Sequence, residues 1–314
     1  MAIDPAPSYT NTGTATYVPA EWNAGLLEAL DPQLVFASDV VSNRNYEGDI
    51  RGRGDKVVIN GIVTPEVGKY NDSTGMTIEQ LSTVKQELDI TEADYVAFYV
   101  GDIETVQAAG ALNTPAVRRA IQNLAKSMDT FVGGAAAAKA TAYGAVDASA
   151  LTSAPEKGEV ILEAAFDMMQ QLDENDVDTS GRWVIVSPRV KRYLVRAEAV
   201  ANASAFGEGG VTRNGTVARL AGFTILSTTN MPSGVDMIAG QREFLTVAHQ
   251  FEGFRQQPVE KFRQDQIDGL SLYGAKVVRF PELDATLTGN PNAFDETKAT
   301  VGILKATVAT ESAG

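Results

Sequence analysis

Apolar residues recur every three to four positions through Val117, Ile121, Leu124, Met128 and Val132, with Arg118, Arg119, Gln122, Asn123 and Lys126 on the other side. That period predicts one amphipathic helix of about 25 residues, with Thr114 as cap and Pro115 in its first turn. Gly133-Gly134 should bend or loosen it, and Ala135 to Ala138 resume it. A second helical stretch puts Val160, Ala164, Met168 and Leu172 on one face, behind the capping-box sequence Ser153-Ala154-Pro155-Glu156. The acidic run Asp173-Glu174-Asn175-Asp176 closes it, and Trp183-Val184-Ile185-Val186 reads as a short buried strand. Ser187-Pro188 then opens a helix with Val190, Leu194 and Ala197 inward.

Elsewhere the period is two. Val57-Val58-Ile59 and Ile62-Val63 make one strand region, residues 64–77 are polar and turn-rich, and Val84, Leu88 and Ile90 alternate with Lys85, Glu87 and Asp89. Residues 47–100 are therefore expected to be β, with a long hairpin whose outer half has too little apolar surface for a core. A two-stranded ribbon alone is marginal in water, so a neighbouring surface must support it. The Gly207-Glu208-Gly209-Gly210 stretch reads as a flexible loop, and the run from Val217 to Leu226 as a hairpin pivoting on Gly222. Strands are predicted at Phe244 to Ala248, Val259 to Phe262 and Leu270 to Val278. The small-residue stretch 144–152 reads as a loop, and the polar end 289–314 has one apolar burst at Val301 to Leu304.

The first 20 residues hold Pro5, Pro7 and Pro19 among polar residues, with almost no aliphatic side chains. Such a stretch cannot offset its ordering entropy by burial within its own fold. It is expected to be a loose tail or an arm ordered by another subunit. A short helix carrying Trp22, Leu26, Leu27 and Leu30 follows, ended by Pro32.

Composition removes whole classes of chemistry. Of 314 residues, 44% are hydrophobic and 21% charged, as in a globular chain, and no apolar run reaches the roughly 18 residues of a membrane span. The N-terminus lacks the basic and apolar segments of a secretory signal, so export by that route is not expected. Zero Cys excludes disulfides, thiolate nucleophiles and Cys-ligated metals, and the single His249 excludes two-His metal motifs. The balance of 26 basic against 40 acidic residues gives −14, which opposes a close attractive grip on nucleic acid. It does not oppose enclosing DNA without binding it.

The remaining motifs have plain structural readings. His249, in the alternating Val247-Ala248-His249-Gln250-Phe251, is expected to be an ordinary surface or hydrogen-bonded residue. Asp176, Asp178, Ser180 and Gly181 imitate the start of a calcium loop, but Ser187 stands where a bidentate Glu is required, so they read as a helix-to-strand connection. Arg53-Gly54-Asp55 reads as a turn ahead of a strand. Glu159, Glu163 and Asp167 read as a wet helix face. No catalytic, cofactor or metal site is expected.

The order of parts is unusual: a coreless arm, a polar-tipped hairpin, a spine helix, a compact α/β insertion and a return to strands. It resembles the tailed-bacteriophage major capsid protein, the Hong Kong ninety-seven-type capsid fold. Four runs carry the likeness: Trp22 with Leu26-Leu27, Leu30 and Val35-Phe36; Gly54 to Ile59; Gly215 to Phe223 with Asn230-Met231-Pro232; and Gly269 to Val277. The resemblance implies an α+β fold divided into an arm (1–46), an extended hairpin loop (47–100) and a peripheral domain with the spine helix (101–175). An axial domain (176–240) and a peripheral return with the C-terminal strand and tail (241–314) complete it.

The function implied is that of a coat protein which self-assembles into hexamers and pentamers of an icosahedral shell around double-stranded DNA. The shell belongs to the virion and is assembled in the host bacterial cytoplasm. The implied partners are further copies of the chain, a portal protein and in some cases a decoration protein. The arm begins almost at Met1, leaving no room for the helical scaffolding segment some relatives carry, so a separate scaffolding protein is expected. Trp22, Asp55, Lys69 and Tyr70 are the candidate assembly residues. Some relatives crosslink Lys to Asn; Lys69 lies at the hairpin tip, but no motif marks an Asn partner, and that chemistry is not carried over. Two other classes stay open at this point: an encapsulin-type nanocompartment shell around enzyme cargo, and a soluble α/β enzyme.

Overall fold

The computed structural model of the protein describes residues 34–45, 55–73, 75–101, 113–197, 219–220, 222–259, 264–287 and 289–310. In chain order the elements are β1 (Lys56–Ile62), β2 (Thr83–Asp89), β3 (Glu92–Gly101), α1 (Asn113–Lys139), β4 (Ala140–Asp147), α2 (Ala154–Glu174) and β5 (Arg182–Val186). They continue as α3 (Pro188–Leu194), β6 (Arg219–Leu220), β7 (Phe223–Ser227), β8 (Met237–Gln241), β9 (Leu245–Val259), β10 (Gln264–Val277) and β11 (Thr300–Ala309). The chain divides into two units, one formed by 1–33, 94–125 and 251–271, the other by 34–93, 126–250 and 272–314.

The larger unit is organised by a six-stranded sheet of order β4-β11-β8-β5-β7-β6. All five residues of β5 are buried, as are all five of β8. Such unbroken burial needs cover on both faces, which suits the apolar run Trp183 to Val186. β5 pairs parallel with β7 and antiparallel with β8, while β11 pairs antiparallel with β8 and parallel with β4. α2 covers part of this sheet, burying Ile161, Leu162, Ala164, Ala165, Met168 and Leu172. Leu162, Ala165 and Phe166 line a small apolar cavity with Val184, Leu194, Phe223, Ile225 and Met237. Each large apolar side chain buried there stabilises the fold by about 1.5–3 kcal/mol.

Several elements depart from the sequence reading. β4 takes in the first part of the stretch read as a loop, residues 144–147, because Ala, Gly and Thr at a half-exposed sheet edge carry no alternating signal. The apolar burst at 301–304 is the start of a ten-residue strand inserted between β4 and β8. β9 runs on to Val259, well beyond the segment ending at Ala248, since its polar second half hid the period. In α2, Ala164, Met168 and Leu172 are buried as the spacing predicts, while Val160 is only half-buried and Ile161 fills the inward position at that end of the helix. Ser153 makes no side-chain cap, and its carbonyl oxygen accepts from the Lys157 N–H at 3.1 Å instead. Ser187 does cap α3, its Oγ accepting from the Val190 N–H at 3.4 Å.

α1 is unbroken across Gly133-Gly134, at 27 residues or about 40 Å. It begins at Asn113, so Thr114 lies within the helix. Gly133 does not loosen it, because the Phe36 ring lies directly on that glycine. A Cβ there would come within 2.9 Å of the ring. Ile121, Leu124, Met128 and Val132 are buried, and Arg118, Arg119, Gln122, Asn123 and Lys126 exposed, as the period predicts. The turn between β6 and β7 also follows the prediction, with Gly222 at φ +82°.

β1 and β2 form an antiparallel pair in register from Lys56↔Asp89 to Ile62↔Thr83. Val57 and Ile59, with Val84, Gln86 and Leu88, form its buried face. The ladder gains one more bond, Val63 N–H to Ser82 O at 3.0 Å, and then stops. β3 belongs to a separate three-stranded sheet of order β3-β10-β9.

Candidate assembly interface

The described residues offer little to catalysis. No group of three or more His, Asp or Glu among them could hold a metal ion. His249 is buried in β9 and engaged with a partner, not on the surface. Asp178 accepts the Ser180 N–H and hydroxyl at 2.9 Å each, which holds its carboxyl below the usual range. Asp173 pairs with Arg182 at 2.7 Å. With Asp176 at φ +56° and Gly181 at φ +68°, this acidic stretch is the tight connection from α2 to β5. Glu159, Glu163 and Asp167 are exposed on α2, and the Tyr143 hydroxyl donates to Asp167 at 2.6 Å. That bond pushes the Tyr143 phenol up to about 12.

The hairpin is a different kind of surface. Its inner half rests on the chain's own later residues. The Gln86 amide behaves like a piece of strand: Nε2 donates to the Arg279 carbonyl at 2.6 Å, and Oε1 accepts the Arg279 N–H at 3.0 Å. Lys276 Nζ donates to the Glu87 carbonyl at 2.7 Å. Val63, Val84 and Leu287 form a small core, with Ala293 and Phe294 packed on it. The neighbouring surface that the sequence demanded is thus partly intramolecular.

The outer half has no such support. Val67 is 96% exposed, Ile78 91%, Met76 78%, Tyr70 68% and Leu81 65%. Residues 63–70 and 76–82 carry no regular strand. The tip is shaped by polar bonds alone: Asn71 Oδ1 accepts the Ser73 N–H at 3.0 Å and hydroxyl at 2.8 Å, and the Gly75 N–H donates to the Asn71 carbonyl at 2.8 Å. The Glu66 N–H donates to Glu79 Oε2 at 3.0 Å across the two limbs. Five large apolar side chains thus stand open to water between residues 67 and 81.

Of the residues singled out from sequence, Lys69 and Tyr70 sit together at this exposed tip. Asp55 does not join them. It lies at the other end of β1, about 20 Å along the strand, and its carbonyl accepts the Ile90 N–H at 3.0 Å. Beside it Lys56 pairs with Glu87 at 2.5 Å and Asp89 at 3.5 Å. The Glu87 hydrogen bond raises the Lys56 ammonium, and the same bond lowers the Glu87 carboxyl. Trp22, Arg53, Gly54 and the 207–210 loop lie outside the described residues. Sequence reasoning missed Val67, Met76, Ile78 and Leu81, since single apolar residues in a polar stretch have no period to betray them. It also missed Tyr95 and Tyr99, which are exposed on β3.

Comparison with known proteins places these features. The family model described as phage capsid protein matches residues 97–285, more than half of the chain. No curated protein matches. Among solved structures, one from Mycobacterium phage Che8 is similar at 23% identity, covering 87% of this chain and 90% of that one, with a TM-score of 0.65. The capsid of Cyanophage P-SCSP1u is similar at 14% identity, with 83% and 85% covered and a TM-score of 0.61. The mature capsid of bacteriophage PhiM1 is similar at 13% identity, with 85% and 87% covered and a TM-score of 0.61. At these identities the structures establish the shared α+β fold.

Proposed function

The chain belongs to the phage capsid protein family, and from that membership we propose how it assembles. It is a major capsid protein, a structural component of the virion built from many copies, and not an enzyme. The family match favours a phage shell over a cargo nanocompartment. In our reading the copies form hexamers and pentamers of an icosahedral shell that encloses double-stranded DNA. Residues 1–46 act as an arm and the hairpin within 47–100 as an extended loop, each reaching a neighbouring copy. The axial domain takes residues 176–240 together with β4, α2 and β11, which belong to or cover the same six-stranded sheet, and the remainder of 101–175 and 241–314 makes the peripheral domain.

The observation that carries this reading is the hairpin's outer half, where five large apolar side chains are 65–96% exposed and belong to no core among the described residues. A second copy that covers them gains about 25 cal/mol for each Å² of apolar area removed from water. Obligate interfaces commonly bury about 2,000 Å² or more, and several weak contacts per subunit add up in a closed shell. Lys69 and Tyr70 belong to this surface; Trp22 in the arm and Asp55 at the hairpin base are further contacts. The net charge of −14 lets packaged DNA be enclosed without adhering to the wall. A separate scaffolding protein, a portal and in some shells a decoration protein complete the assembly, which takes place in the host cytoplasm.

Deleting residues 64–77 tests the reading. The expected product is a folded subunit that forms no shells, seen by electron microscopy with and without a scaffolding protein. Normal shells from the deletion would overturn it.

A further inference from the structure

Asp129 is the one fully buried acidic residue among those described. It sits on α1, and its Oδ1 accepts three consecutive backbone N–H groups, from Val35 at 2.9 Å, Phe36 at 2.6 Å and Ala37 at 3.3 Å. Its Oδ2 accepts from Asn230 Nδ2 at 3.0 Å. Successive N–H groups converging on one point make a nest for an anion, and here the anion is a side chain of the same chain. The bonded segment is the root from which residues 1–33 depart.

Other contacts converge on that root. Phe36 packs on Gly133, one turn further along α1. The Asn43 N–H donates to Leu245 O at 2.7 Å and the Val247 N–H to Asn43 O at 3.0 Å, adding a short parallel bridge to β9. Arg242 pairs with Asp39 at 2.5 Å, and Asn43 Nδ2 donates to Glu243 Oε2 at 2.7 Å. Among the described residues, only Asp129 ties the root, α1 and the loop after β7 at a single point.

We propose that Asp129 is a positioning residue for assembly: it locks the arm's root to the spine helix, so that a pull on the arm by a neighbouring copy is borne by the subunit body. The assembly half of this proposal rests on the reading of the arm as an inter-copy contact. A root free to swivel would spread the arm over many directions, and the ordering entropy would oppose each contact it makes.

The test uses the full chain and two substitutions of similar size. Asp129→Leu leaves three buried N–H groups with no acceptor. Asp129→Asn keeps an acceptor oxygen for them, and the Asn230 amide can rotate to present its Oδ1, which is buried without a partner, to the new N–H. Hydrogen exchange on unassembled subunits should quicken about tenfold or more at residues 35–37 in Asp129→Leu. Exchange in β5 and β8 should stay as in the wild type, shells should fail to form, and Asp129→Asn should restore both properties. Wild-type protection of 35–37 in Asp129→Leu, or a loosened root with normal shell yield, would overturn the proposal. If Asp129→Leu does not fold, Asn230→Ala removes one of the four bonds. Unchanged exchange at the root in that variant would equally overturn it. Normal shells from a chain lacking residues 1–33 would sink the arm reading and with it the assembly half, while root exchange alone decides the anchoring half.

Discussion

β5 and the outer hairpin are both extended chain, yet they meet opposite surroundings. Every side chain of β5 is buried by α2 and the flanking strands β7 and β8. Between residues 65 and 81 every described residue is exposed, Val67 and Ile78 almost completely. The first region completes its core within one chain. The second leaves its apolar side chains in water among the described residues, and in our proposal a neighbouring copy covers them. Stability of the subunit and competence to assemble should therefore respond to different residues.

The largest expected effect lies in the core. Trp183→Ala should lower the unfolding free energy of the free subunit by about 3–5 kcal/mol in denaturant titrations. A loss below about 1 kcal/mol would break the contrast by showing the sheet to be loosely packed. Next comes the hairpin's neck, where the two regimes meet. Gln86→Ala strands the Arg279 N–H and carbonyl and should cost about 1–3 kcal/mol, with faster amide exchange confined to β1 and β2. Exchange that spreads into β5 would mean the hairpin and the sheet unfold together.

Smaller still is the tip. Val67→Ser with Ile78→Ser should shift subunit stability by no more than about 0.5 kcal/mol. The same pair should sharply reduce shell yield in sedimentation, whereas equal losses in both measurements would erase the distinction. The smallest effect is at the sheet's edge, where Tyr143 bonds Asp167. Its raised phenol favours the folded state fully below the ordinary phenol range near ~10. That contribution fades as pH rises through about 12. Ultraviolet titration of Tyr143 should show that high midpoint, and Asp167→Asn should bring it down.

The periodic elements were legible in advance. Ile121 to Val132 gave α1 its inner face, Trp183 to Val186 gave β5, and Ser187-Pro188 marked the start of α3. The hairpin strands and the Gly222 turn were equally plain. β4 and the long end of β9 were not, because Ala and Gly at an edge and Gln and Arg on an exposed strand imitate loop composition. At the candidate interface, Lys69 and Tyr70 are exposed near the hairpin tip, where the polar, turn-rich stretch 64–77 puts them. Asp55 was grouped with them because sequence nearness says nothing of the strand that separates them. Asp129 gave no signal at all: a single acid in an amphipathic helix looks like any solvated charge until the root folds over it.

The order of residues alone settled what this chain lacks: thiols and a second imidazole are absent whatever the fold, and the net charge of −14 opposes a close grip on nucleic acid. It also settled which segments alternate, which repeat every three to four positions, and which hold too few apolar groups to fold unaided. Only the folded chain decided that the last strand enters the middle of the sheet, and that Gln86 and Asp129 turn inward. Those outcomes depend on partners distant in sequence, as Gln86 meets Arg279 and Asp129 meets Val35 and Asn230. Local periodicity carries information about a residue's neighbours along the chain, and long-range contacts are chosen by packing and by the demand that every buried polar group find a partner.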